Sequence, residues 1–349
     1  MISIIQPPNF LKLSTEIPVI DVRAPVEFNQ GHIPGALSIP LFNDHERALV
    51  GTAYHQSGQK SAIVLGLDLA LPKTGMFIDQ VRNSTDYDKI LLHCWRGGMR
   101  SASMAQVFEK AGYEVYILEG GYKSYRQFIR QEFSKEASIV VLGGFTGSGK
   151  TELLKSLEQQ GEQVIDLEKL ASHKGSVFGS FGQPGQPTNE QFENNLYSEW
   201  SSMDFSKPVW LEDESRMIGN VALPEPVFSQ IQNGILVLLE VEKNTRVERL
   251  VQEYARFEKE QLGGAISKIK ERLGGTRTAM AINALENKRY SEVADIVLEY
   301  YDKAYQFSID RRKGKLIYPV SVSGKEPSIV AKEMRNFLYK QTDYASHLP

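Results

Sequence analysis

SIVVLGGFTGSGKTELL, residues 138–154, places a buried-type apolar run directly before a glycine-rich turn and a helical pattern. Within it, Gly144, Gly147, Ser148, Gly149, Lys150 and Thr151 fit G-x-x-x-x-G-K-[ST] without a mismatch, in the strand–turn–helix setting that the pattern needs. The residue types follow from phosphate chemistry. Glycines let backbone N–H groups converge on phosphate oxygens, the following helix N-terminus adds positive potential, and Lys150 brings a mobile charge. Thr151 is placed to offer its hydroxyl to a magnesium ion, a candidate companion of the phosphate. The motif implies that a phosphate or diphosphate binds, and it leaves nucleotide hydrolysis open.

Outward from this cradle the chain continues as an α/β unit. TELLKSLEQQG (151–161) reads as a helix ending at a C-cap glycine, and QVIDLEKLA (163–171), PVWLEDES (208–215) and GILVLLEVE (234–242) supply strands. An acidic partner for the phosphate site is expected at a strand end, with Asp213 or Glu212 first and Asp166 second. Ordinary strand-end carboxylates are an equal reading of these three. From Thr245 the pattern turns helical through 245–264 and 288–307, before KLIYPVSV (315–322) and a last helix. Residues 172–192, rich in Gly, Ser and Pro, read as a long functional loop.

Upstream, short apolar runs alternate with turn signals at 18–28, 31–40, 89–98 and 113–121, with helical patterns at 101–112 and 123–133. Strands alternating with helices indicate a second parallel α/β sheet. The polar stretch QEFSKEAS (131–138) separates the two, giving expected domains of 1–132 and 137–349. Cys94, the single cysteine, follows the apolar strand ILLH, at the strand end where α/β folds bind ligands. One cysteine excludes an internal disulfide and a multi-cysteine zinc site. Loop N–H groups, the next helix and the flanking Arg96 and Arg100 favour a thiolate there, so a nucleophile is expected rather than an inert buried thiol.

The 349 residues suit two domains, and 41% hydrophobic with 24% charged residues is a globular composition. No apolar run approaches the ~20 residues of a bilayer span, and the N-terminus lacks a signal-peptide pattern, so a cytoplasmic protein without a membrane partner is expected. The net charge is −3, but Glu240–Pro349 carries 20 Lys and Arg against 16 Asp and Glu, while the remainder has 20 against 27. The mildly basic helical region, about 244–312, is therefore the candidate nucleic-acid face. Its members are Arg246, Arg249, Arg256, Lys268, Lys270, Arg272 and Arg277, with Tyr300, Tyr301, Tyr305 and Phe307 as aromatics that can stack on a base. A solvated helix face and a packed core account for such residues more often than RNA does.

Two resemblances add to this. Asp21-Val-Arg23-x-Pro25-x-Glu27-Phe28-x-x-Gly31-His32-Ile33-Pro34-Gly35-Ala36, the Cys94 loop and Leu118-Glu-Gly-Gly121 resemble rhodanese-like domains over about residues 1–130. In that setting Asp21, Arg23 and Glu27 order the scaffold. The active loop is one residue longer than in sulfur-transferring rhodaneses, and His93-Cys94-x5-Arg100 also matches a cysteine-phosphatase signature, without a clear general acid. CWRGGMRS joined to GGFTGSGKTELL, with ERALVGT (46–52), WLEDESRMIGN (210–220) and QLGGAISKIKERLGG (261–275), resembles the tRNA 2-selenouridine synthase family over nearly the whole chain.

That resemblance implies a rhodanese-like parallel-sheet domain followed by a P-loop NTPase-like α/β domain with a helical C-terminal portion. It implies a transferase that converts wobble 2-thiouridine of tRNA to 2-selenouridine through an S-geranyl intermediate. Geranyl diphosphate and selenophosphate are then substrates, no tightly bound cofactor or metal is needed, and a selenophosphate-supplying enzyme is a candidate partner. Cys94 would carry selenium as S-selanylcysteine or position selenophosphate. Rival readings are a P-loop kinase or ATPase with a rhodanese regulatory domain, and a phosphatase-like or persulfide-carrying rhodanese.

Overall fold

A computed structural model describes residues 1–312, 316–322 and 324–345, so Lys315 at the head of one expected strand lies outside the described residues. The chain forms two compact units, Met1–Phe133 with Glu193–Ser198, and Ser134–Phe192 with Glu199–Pro349.

In the first unit, strands β1 (Ile2–Ile5), β2 (Val19–Asp21), β3 (Leu37–Ser38), β4 (Lys89–His93) and β5 (Glu114–Leu118) form one sheet. Their order is β1-β5-β4-β2-β3 and every pairing is parallel. Ile90, Leu91 and Leu92 on β4 are buried on both faces, the pattern of a sheet covered by helices on each side. The core gathers Ile20, Phe77, Ile90, Leu92, Phe108 and Val115. β4 is central, so Cys94 leaves the sheet at its carboxyl end with helix Met99–Lys110 following.

Two elements here escaped the sequence reading. β1 is a four-residue edge strand, too short for periodicity to declare. Asp44–Ala70 is one long helical run, started by the Asn43/Glu46 capping box and bent at Gly58, whose φ of 84° is left-handed. Extended to Ser84, this helical stretch holds an 18-residue window of mean hydropathy 1.4, so by length and composition it does meet the criterion for a bilayer span. Scattered Asp, Lys and Pro residues interrupt the apolar run in sequence, whereas a window average over the helix absorbs them.

In the second unit, β6 (Ile139–Gly144), β7 (Gln163–Ile165), β8 (Val209–Glu212), β11 (Ile235–Glu240) and β12 (Ile317–Ser321) form a parallel sheet ordered β12-β11-β6-β8-β7. β9 (Met217–Ile218) and β10 (Val221–Ala222) make a separate antiparallel pair. Helix Lys150–Gln159 packs Leu153, Leu154 and Leu157 against Val140, Trp210 and Val237 of the sheet. Helices between Lys259 and Asp310 build their own core from Leu262, Ile266, Leu273, Leu285 and Val297. β6 lies in the centre of the sheet and delivers the glycine-rich turn at its carboxyl end.

Candidate functional sites: a cysteine loop and a phosphate loop

Cys94 is 3% exposed, its Sγ 3.3 Å from Ser101 Oγ, which donates to Gly98 O at 2.9 Å. The loop is clamped by the Gly120–Gly121 turn. Tyr122 N donates to Cys94 O at 2.8 Å and Lys123 N to Trp95 O at 3.0 Å. A Cβ at Gly121, φ 62°, would stand 2.4 Å from both Cys94 O and Gly97 N, which is why glycine is needed there.

Arg100 does not stand as a free anion ligand. Its Nη1 donates to Glu27 Oε2 at 2.7 Å, and Arg47 meets the same carboxylate at 3.1 Å. Burial works against the Glu27 charge, but Arg100 outweighs it and holds this carboxyl below the usual range. Arg96 is exposed on the loop. Arg23 is fully buried, pairs bidentately with Asp21, donates to Gly31 O at 2.7 Å and stacks on Tyr122 at 3.7 Å. That makes Asp21 and Arg23 the floor under the cysteine loop. His93 lies in this floor with its Nε2 3.7 Å from Asp21 Oδ2, and burial drives its pKa down to about 4 against the pull of Asp21, so it is neutral near pH 7.

In the phosphate loop Gly144, Gly147 and Gly149 have φ of 156°, 82° and 86°, and Gly149 is the N-cap of helix Lys150–Gln159. Lys150 Nζ reaches back to Gly144 O at 3.2 Å, and Ser148 Oγ is buried within the loop with no partner. Thr151 opens the helix beside Lys150. Gly144 N donates to Tyr305 Oη at 2.8 Å, and Tyr305 donates to Asp213 Oδ2 at 2.8 Å.

The expected acids are therefore engaged elsewhere. Asp213 is ion-paired to Arg312 as well, Glu212 is fully buried with Oε2 accepting from Leu167 N at 2.9 Å, and Asp166 caps a helix through Lys169 N. The carboxyls that respond to Lys150 are Glu168 and Glu214, which the sequence reading passed over. Burial together with the Glu168 charge pushes Glu214 up to about 8 despite Lys150.

Two expected RNA contacts also move. Arg246 is buried, bidentate to Asp302 at 2.8 Å, and donates to Thr146 O at 3.3 Å, while Arg249 donates to Gly147 O at 3.4 Å. Both brace the phosphate loop instead of forming an open helix face, because their turn of helix packs on it. Arg256, Lys268, Lys270, Arg272 and Arg277 are exposed. Arg272 and Arg277 share a surface depression with Lys303, Tyr300 and Phe307, the last 60% exposed. Tyr301 and Tyr305 are spent on Val177 N and the phosphate loop.

Next to the phosphate loop is a partly open apolar cavity whose water-reachable volume is about 60 Å³. Thr146 and Ser176 contribute to its lining, with Leu250, Tyr254, Val297 and Tyr301 among the apolar and aromatic walls. Ser176 and Phe178 bring the 172–188 loop into this wall, and Thr146 belongs to the phosphate loop itself.

Comparison with known proteins agrees with both halves. The family model described as the tRNA 2-selenouridine synthase AAA domain matches residues 137–332, and that of the rhodanese-like domain matches residues 8–128. A tRNA 2-selenouridine synthase of Shewanella piezotolerans is 36% identical over 346 residues, covering 88% of this chain and 92% of that one. Those of Nitrosomonas europaea and Hydrogenovibrio crunogenus are 33% and 36% identical, covering 85% and 86% of this chain and 90% and 91% of theirs.

Proposed function

Because the chain belongs to the tRNA 2-selenouridine synthase family, we propose that it is a tRNA-modifying transferase that first geranylates and then selenates a wobble 2-thiouridine. One observation carries the reading: Thr146 belongs both to the glycine-rich phosphate loop and to the lining of an apolar cavity. An allylic diphosphate has that same division, a charged head joined to a hydrocarbon tail. The orphaned hydroxyl of Ser148 and the Lys150 ammonium suit the head. A nucleoside would put a ribose and base edges against walls whose polar groups are few, and burying them unpaired is costly.

Alkylation answers a chemical need. Thiocarbonyl sulfur is a poor leaving group, whereas a geranyl thioether departs as a thiol once selenium has added to carbon 2. Lys150 and the converging N–H groups stabilise the departing diphosphate of the first step. Should a magnesium ion accompany it, Thr151 is the hydroxyl at hand, and the ion would add charge neutralisation. The Cys94 loop, with a helix N-terminus beside it, receives selenophosphate for the second step. Arg272, Arg277 and Lys303, around Tyr300 and Phe307, are the proposed tRNA contact, joined by the exposed Arg256, Lys268 and Lys270.

The test is nucleoside mass spectrometry of 2-thiouridine tRNA after incubation with geranyl diphosphate, and then with selenophosphate. S-geranyl-2-thiouridine followed by 2-selenouridine is expected. ATP turnover with neither product would overturn the reading.

A further inference from the structure

The carbonyl of Cys94 is held by Tyr122 N, and the ring of Tyr122 carries the Arg23 guanidinium at 3.7 Å, so Tyr122 joins the cysteine loop to its floor. Its ring also lies 5.9 Å from those of His93 and Trp95, the residues on either side of Cys94. What fixes that ring comes from outside the loop. Asn194, itself fully buried, donates from Nδ2 to Tyr122 Oη at 2.7 Å and to His32 O at 2.8 Å, and its Oδ1 accepts from Arg126 Nη1. Glu193–Ser198 belongs to the unit that carries Cys94, although it lies far beyond the cysteine loop in sequence.

We propose that Asn194 is a positioning residue for the cysteine loop, acting through Tyr122 to set the reactivity of Cys94 in the selenation step. This deepens the reading of Cys94 as the reacting thiol and rests on it. A primary amide is the side chain that the site asks for. It offers two N–H donors and one carbonyl acceptor, and here every one of them is used. His32 O can only accept and the Arg126 guanidinium can only donate, so the amide has a single orientation. An aspartate would set an oxygen against the His32 carbonyl, and an alanine would give up all three bonds.

The effect reaches the thiol through the backbone. With its hydroxyl tied to Asn194, Tyr122 stays in place, so its N–H keeps the Cys94 carbonyl and the next residue, Lys123, keeps that of Trp95. Those two bonds aim the first peptides of the loop, and with them the N–H groups that would meet an anion at Cys94. Such aim matters to a nucleophile, since a misplacement of about 1 Å can cost on the order of 100-fold in rate. Glu193, next in the chain, pairs with both Arg126 and Arg130 and so anchors the helix Asn189–Ser201 that presents Asn194. A side chain needed only to fill the space would be apolar, without the cost of burying an amide. Three directed bonds at a fully buried position specify an angle, not a volume.

The experiment compares full-length wild type, Asn194→Ala, Tyr122→Phe and the double variant, each at a temperature well below its own melting transition. Selenation of pre-geranylated tRNA with selenophosphate gives kcat and KM, and geranylation of 2-thiouridine tRNA is followed alongside. Asn194→Ala should lower the kcat of selenation roughly 10- to 100-fold, with the KM for tRNA and the geranylation rate within about twofold of wild type. Tyr122→Phe, which removes only the hydroxyl, should reproduce much of that loss, and the double variant should be no slower than Asn194→Ala, because both break the same bond. A purely structural role would cost kcat only as the unit melts, so a kcat within about threefold of wild type in the folded variant overturns the proposal. Losses that add in the double variant, or that geranylation shares in equal measure, overturn it too. If Asn194→Ala does not fold, Tyr122→Phe decides alone. Cys94→Ser in the same assay keeps the two ideas apart: selenation at the native rate would bring down the reading of the thiol, and this proposal with it.

Discussion

Ala294 sits in the cavity wall among Val293, Val297 and Leu298, where a larger side chain points into space that the ligand's tail would use. Ala294→Phe should fill much of that space. If the ring displaces four or five carbons of the geranyl chain, the loss is about 3–4 kcal/mol at about 0.8 kcal/mol per buried CH2. That corresponds to roughly a 100- to 1,000-fold weaker Kd for geranyl diphosphate. The ring enters a void, so the stability penalty should stay at or below the ~1–3 kcal/mol of ordinary overpacking. Calorimetric titration with three ligands separates the contributions. Geranyl diphosphate should weaken as stated, five-carbon dimethylallyl diphosphate much less, and inorganic diphosphate not at all. A variant that binds geranyl diphosphate at the wild-type Kd would place the chain elsewhere. Equal loss for all three ligands would mean that the substitution had disturbed the phosphate loop.

Lys150→Ala should instead weaken geranyl diphosphate and inorganic diphosphate alike, by about 1.5–3 kcal/mol or roughly 10- to 150-fold in Kd, because it deletes a charge-assisted contact to the head alone. Cys94→Ser should abolish selenium incorporation while S-geranyl product still accumulates, since a hydroxyl has almost no anionic form near neutrality; native-rate 2-selenouridine would refute the role of the thiol. His93 gives a pH prediction. Folded, its pKa is about 4, against 6.5 when exposed, so below pH 6.5 the unfolded chain binds a proton that the folded chain refuses. The first unit should therefore lose stability as pH falls from 6.5 towards 4, by up to about 3 kcal/mol, and should show no such slope above 6.5. Hydrogen exchange of the β4 amides in wild type and His93→Gln checks this, with identical pH slopes as the refuting result.

Much of the fold was written locally. The runs IVVLGG and ILLH are buried on both faces in a parallel sheet, so they are uninterrupted by polar residues and readable as strands. The phosphate cradle is equally local, because G-x-x-x-x-G-K-T must be contiguous to wrap a phosphate. Cys94 between a strand and Gly97–Gly98 belongs to the same class, and LEGG at 118–121 proves to be its clamp.

What only tertiary structure decided concerns partners. A sequence shows that Arg246, Arg249 and Arg256 are charged and near helical spacing, but not what each of them meets. Packing sends the first two against the phosphate loop and leaves the third exposed. Among the acids near β8, the sequence ranked Asp213 and Glu212 ahead, yet Arg312 and the Leu167 amide claim them, and the carboxyls tied to Lys150 are Glu214 and Glu168, 46 positions apart. The cavity is the extreme case, because Thr146, Ser176, Leu250, Leu285 and Val297 meet across more than 100 positions of chain. Helical periodicity says that such side chains turn inward. Empty volume is a property of how several elements fail to fill the space between them, and no single stretch of sequence encodes it.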